Sequence, residues 1–181
     1  MELVGDSERI AASLADRIDR LTFADLEAEQ VTALLVDTVV AWATGSGWRA
    51  YRRAPSVVPL PPPYQNRQSC VDVGCARPAG APVVVEVDNS DRRRSVDKLL
   101  AEAGAGRIPL WVRWGTGRFE PPPPPVEMVI CPVTVRRDLG TRRRLYSRVP
   151  SCDRPAPSHT TVDAVVDRQS GLFEDIVDDQ S

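Results

Sequence analysis

Three carboxylates and one amine carry the chemistry that this sequence suggests. Asp72 sits in Cys70-Val71-Asp72-Val73-Gly74-Cys75, and Glu86 and Asp88 sit in Val83-Val84-Val85-Glu86-Val87-Asp88. Both stretches have strand character, and Arg77-Pro78-Ala79-Gly80 between them is turn chemistry. A turn centred on Ala79 pairs the strands antiparallel, with Asp72 opposite Glu86 and Cys70 opposite Asp88. Cross-strand partners share a face. Side chains alternate along a strand, so Asp72, Glu86 and Asp88 then collect on one face, with Val71, Val73, Val85 and Val87 on the other. A slip of one residue disperses the cluster. Carboxylates so close raise one another's pKa unless a cation or solvent relieves them. A hard divalent ion, Mg²⁺ or Mn²⁺, is held by one or two carboxylates with water completing the shell. Such an ion can generate a hydroxide nucleophile and stabilise charge on a phosphodiester.

The same residues admit a plainer reading. Asp88 can simply end its strand ahead of a helix cap, and Asp72 can face solvent from a half-exposed sheet. Lys98 is the only lysine in a chain with 23 basic residues. It falls on the helix expected after Asp88. There it can serve the carboxylates as a compact point charge, or it can pair with Glu102 four residues on. Ser95, one turn earlier, can share its face.

The elements that must position these groups are legible in outline. An amphipathic helix is expected over 7–20, with Ile10, Leu14 and Ile18 on one side. Thr22 is the expected N-cap of a second helix, from about Phe23 to Thr44, ended by Gly45-Ser46-Gly47. Strands are expected over 48–52, 70–75, 83–88 and 108–114, with Pro55 to Pro63 an extended loop between the first two. A helix over about 92–103, capped by Asn89, Ser90 or Asp91, carries Val96, Leu99, Leu100 and Ala103 at core spacing. The strand–helix–strand unit implies a parallel pair. Pro121 to Pro125 form a spacer. Added strands are expected over 126–135 and 144–149.

Composition sets limits. With 181 residues, a net charge of -2 and 42% apolar residues, the chain fits one α/β domain of ordinary composition. No apolar run approaches the ~20 residues of a membrane span. The acidic, polar N-terminus is unlike a secretory leader, so a cytoplasmic, soluble protein is expected. Cys70, Cys75, Cys131 and Cys152 have neither disulfide-framework nor zinc spacing. Trp111 and Trp114 fall on opposite faces of one strand, and core packing is favoured for them over base stacking. Basic clusters at Arg92-Arg93-Arg94 and Arg142-Arg143-Arg144 can hold phosphates or form solvated surface. Residues 151–181, with a possible short helix at 162–168, read as a disordered acidic tail, which can dock on a protein partner or only solubilise.

The order of elements, with Asp72 on one strand and Glu86-Val87-Asp88 on the next, resembles the core of the PD-(D/E)XK, restriction-endonuclease-like nuclease superfamily. The resemblance covers roughly residues 22–115. It implies an αβββαβ core with a mixed central sheet flanked by helices. The helix at 1–21 would precede this core, and the added strands to residue 150 and the tail would follow it. It also implies Asp72 and Glu86 as ligands of Mg²⁺ or Mn²⁺. Where the family has its motif lysine this chain has Asp88, and Lys98 matches the displaced lysine of some members. Glu29 on the long helix matches a glutamate found in others. The function so implied is metal-dependent hydrolysis of DNA by Asp72, Glu86, Asp88 and Lys98. The alternatives are an inactive module on the same fold that binds nucleic acid or protein, and an interaction protein with no nucleic-acid role. Proximity of Lys98 to the carboxylates separates the first from the second.

Overall fold

The computed structural model describes residues 2–149. The acidic tail, Cys152 and the segment 162–168 lie outside the described residues. The chain is mixed α/β, with a five-stranded central sheet, a three-stranded antiparallel sheet and helices that cover the central sheet.

Helix α1 (Glu2–Asp19) starts earlier than its periodicity implies and places Ile10, Leu14 and Ile18 in the main core. The expected Thr22 cap does not form. Phe23–Leu26 is instead strand β1, paired with a strand more than a hundred residues later, and helix α2 (Ala28–Gly45) begins after it. The cap residue is Glu27, whose backbone N–H donates to Gln30 Oε1 at 2.8 Å. Strand β2 (Arg49–Pro59) runs on through Pro55 and Pro59, where a loop was expected. It is an edge strand, so prolines cost it few ladder bonds. Strands β3 (Gln68–Ala76), β4 (Val83–Asp88) and β5 (Ile108–Gly115) follow, with helix α3 (Arg93–Gly104) between β4 and β5.

The central sheet has the order β2-β3-β4-β5-β6, where β6 is Glu127–Pro132. Strands β2, β3 and β4 are antiparallel neighbours, and β4, β5 and β6 are parallel. The run 126–135 is two strands rather than one. Pro132 closes the ladder of β6, Val133 is buried, and β7 (Thr134–Arg137) joins the second sheet with β8 (Arg144–Arg148) and β1.

Two apolar layers hold the central sheet. On one side α1 and α2 pack against Val73, Val85, Val87, Leu110, Val112 and Trp114. On the other, Leu99 of α3 packs against Val84, Trp111, Val126 and Val71. Both tryptophans are therefore core. Val71 is not with Val73, Val85 and Val87 but in the layer against α3.

Candidate functional site

The β3–β4 ladder pairs Cys75 with Val83, Gly74 with Val84 and Val73 with Val85, which is the register centred on Ala79. It stops there. The amide of Val87 does not go to the neighbouring backbone but donates to Asp72 Oδ2 at 2.8 Å. A carboxylate thus stands where a ladder bond would be, and the strands part beyond Val73 and Val85. The gap opens into a cleft of about 640 Å³ between α2 and α3. Asp72, Glu86 and Asp88 line it from the sheet, Glu29 and Thr32 from α2, and Arg92, Arg94, Ser95 and Lys98 from α3 or its entry.

Lys98 reaches the carboxylates. Its Nζ lies 2.8 Å from Glu86 Oε1 and donates to the Cys70 carbonyl at 2.7 Å. The lysine side chain is 11% exposed and that of the glutamate 7%. The alternative pairing with Glu102 is absent. Glu102 is fully buried and accepts from Ser56 Oγ, from the Val57 amide and from Arg107.

Burial dominates the electrostatics. Loss of hydration pushes the Glu86 carboxyl up to about 7, against the Lys98 hydrogen bond that favours its charged form and with Asp72 and Asp88 adding repulsion. Asp72 is likewise raised, first by burial and then by Asp88, although the Val87 amide works against this. The negative charge here is thus only partly compensated.

Asp88 takes a different part from the other two. Its Oδ2 accepts from Trp111 Nε1 at 3.0 Å, and its Oδ1 lies 3.5 Å from Arg92 Nε. Asp91, expected among the caps of α3, instead pairs with Arg113 at 2.7 Å; the N-cap is Arg92, with no side-chain cap bond. Sequence reasoning missed Arg113. It is 4% exposed, donates to the Asp88 carbonyl at 2.9 Å, and lies against the rings of Trp111 and Phe119. Arg113 therefore fixes the β4–α3 connection that presents Arg92 and Lys98. A charged residue inside the apolar strand Ile108–Gly115 was the available signal, but its partners on β4 and on two loops gave none.

The basic clusters divide. Arg92 and Arg94 line the cleft, whereas Arg93 is almost fully exposed and lies 3.9 Å from Asp97. Arg142, Arg143 and Arg144 are exposed on the β7–β8 connection, and Arg143 pairs with Glu27 at 2.5 Å. Arg143 and Arg144 also border a shallow recess that shares Ala28 and Glu29 with the cleft. The second basic cluster thus adjoins the first across the N-terminus of α2.

Among the described residues no three His, Cys, Asp or Glu side chains converge as a metal-binding group. The donor chemistry nevertheless fits a hard divalent ion held by two carboxylates and water. Asp72 Oδ1 and Glu86 Oε2 have no hydrogen-bond partner among the described residues, and both residues line the cleft. Burial first, and then Asp72 and Asp88, raise the Glu86 carboxyl, so positive charge brought beside it would favour its ionised form. Comparison with protein-family models, with curated proteins and with solved structures finds no match to this chain. No helix among the described residues is long and apolar enough to cross a membrane.

Proposed function

We propose that the cleft is the active site of a restriction-endonuclease-like nuclease that hydrolyses phosphodiester bonds of DNA with Mg²⁺ or Mn²⁺. The observation that carries this reading is the approach of Lys98 Nζ to 2.8 Å from Glu86, beside Asp72, in a cleft bordered by Arg92 and Arg94. Asp72 and Glu86 would hold the ion through Oδ1 and Oε2. Bound there, it would lower the pKa of a water and polarise the phosphodiester. Lys98 has three donors and spends two of them on Glu86 and the Cys70 carbonyl. The third is left to hold an attacking water or a phosphate oxygen. Arg92 and Arg94 offset phosphate charge, and Asp88 orients Arg92 rather than entering the chemistry.

One observation favours a second reading, a catalytically inactive module of the same fold that binds nucleic acid or protein. Asp72 Oδ2 and Glu86 Oε1 are already satisfied by the Val87 amide and by Lys98. Both readings meet one experiment: Mg²⁺ and Mn²⁺ titration followed by thermal melting, with cleavage of plasmid and single-stranded DNA. Metal-dependent stabilisation and cleavage, lost in Glu86→Ala and with cleavage alone lost in Lys98→Ala, are expected of the nuclease. A folded wild type that neither responds to metal nor cuts either DNA leaves the binding module.

A further inference from the structure

Outside the cleft, the connection between β7 and β8 joins an exposed apolar tip to arginines that have no acidic partner among the described residues. Leu139 at its tip is 97% exposed, so it contributes nothing to the core. An isolated exposed leucine is ordinary on a protein surface. This one stands on a hydrogen-bonded turn. Asp138 N donates to the Arg143 carbonyl and Arg142 N to the Asp138 carbonyl, both at 2.9 Å, and Asp138 Oδ2 accepts from the amide and hydroxyl of Thr141.

The arginines behind the tip fall into two groups. Arg136 pairs with Asp25 of β1, and Arg143 pairs with Glu27, which ties the hairpin to the body of the protein. Arg137 and Arg144 are direct cross-strand partners, and neither they nor Arg142 has an acidic partner among the described residues. Like charges directly opposite each other destabilise a strand pair. An anionic ligand across this face relieves that cost. Arg144 also borders the recess that continues into the cleft.

We propose that the β7–β8 hairpin is a duplex-DNA clamp, in which Arg137, Arg142 and Arg144 bind backbone phosphates and Leu139 wedges against a base step. Apolar side chains flanked by arginine open base steps in this way, and each phosphate contact adds salt dependence. The inference rests on the nuclease reading only for its choice of DNA over another polyanion, and it names duplex as the substrate class.

The test measures binding, not cleavage, so its failure is separate from failure of the nuclease reading. The full chain in EDTA is titrated into a labelled duplex with 2-aminopurine at a central step, over a range of salt. Wild type should bind and raise the 2-aminopurine fluorescence. Arg137→Gln/Arg144→Gln should weaken binding by about tenfold and reduce the salt slope by about two. Leu139→Ser should keep the salt slope and lose most of the fluorescence rise. Arg137→Gln alone should melt slightly higher than wild type, which separates relief of repulsion from damage to the fold. Unchanged slope in the double variant overturns the phosphate contacts, and an unchanged fluorescence response in Leu139→Ser overturns the wedge. The proposal also fails if the variants alter only binding to phosphatidylserine vesicles, because the hairpin then serves a membrane surface.

Discussion

Two buried glutamates, one within α3 and one bonded to it through Lys98, are built to opposite ends. Glu102, inside α3, has both oxygens occupied: Oε1 accepts from Ser56 and the Val57 amide, and Oε2 from Arg107. Glu86, on β4, has Lys98 on Oε1 and no partner on Oε2 among the described residues. One carboxylate is saturated and sealed, and it fastens β2 to α3. The other is half-satisfied beside a cleft and is pushed up to about 7 mainly by burial. A buried acid is therefore not by itself a sign of function. The sign is an acid whose desolvation the protein leaves partly uncompensated where an external ligand can reach it.

The largest expected effect tests the sealed site. Glu102→Ala strands Arg107, Ser56 and the Val57 amide, and should cost about 3–5 kcal/mol in urea denaturation. A loss below about 1 kcal/mol would remove the contrast, since exposed pairs contribute that little.

The half-satisfied site predicts a pH dependence of definite sign. In the folded protein Glu86 keeps its proton to about 7, against 4.5 as its ordinary value. The folded state binds more protons between these limits, so stability is greatest below the lower one, falls as pH rises, and levels off above the upper one. The gap corresponds to a loss of about 3 kcal/mol, and the raised Asp72 acts in the same direction. Glu86→Gln should melt higher than wild type at pH 8, and its stability should fall less steeply between pH 5 and pH 7. A Gln variant less stable than wild type at pH 8 would mean that the Lys98 bond outweighs desolvation. Binding of a divalent ion, which favours the ionised form, should tighten as pH rises through about 7 and release protons on calorimetry.

The smallest effect separates the arginines. Arg93→Ala should change stability by no more than about 0.5 kcal/mol and leave DNA binding unaltered, because the side chain faces solvent. On the proposed nuclease reading, Arg92→Ala should weaken DNA binding with a smaller salt slope, because Arg92 lines the cleft.

Much of this arrangement was legible in local signals. The bounds of β4 and the register with β3 follow from alternation and from the turn at Arg77–Gly80, both encoded within a few residues. What escaped was set by distant chain. Phe23–Leu26 is a strand because β8 pairs with it, although Thr22 and Asp25 make good local helix signals. The choice of Lys98 between Glu102 and Glu86 was open in sequence, because the helical spacing satisfies one partner and only the packing of α3 on β4 supplies the other. Arg113 was hidden in the same way, its partners lying on β4 and the loops around it. Val71 leaves its expected face beyond the point where the β3–β4 ladder ends, at Val73 and Val85.

That substitution of a side chain for a ladder bond gives the site its own spectroscopic reporter. The Val87 amide proton points at Asp72 Oδ2, so its chemical shift in a ¹⁵N-resolved spectrum follows the charge on that carboxylate. Titration with acid, or with a divalent ion on the proposed metal-site reading, should move this backbone resonance, whose neighbours along β4 stay in the ladder. Asp72→Asn keeps an oxygen acceptor for the same proton while removing the charge, so this single peak distinguishes loss of the bond from loss of the ion without any assay of activity.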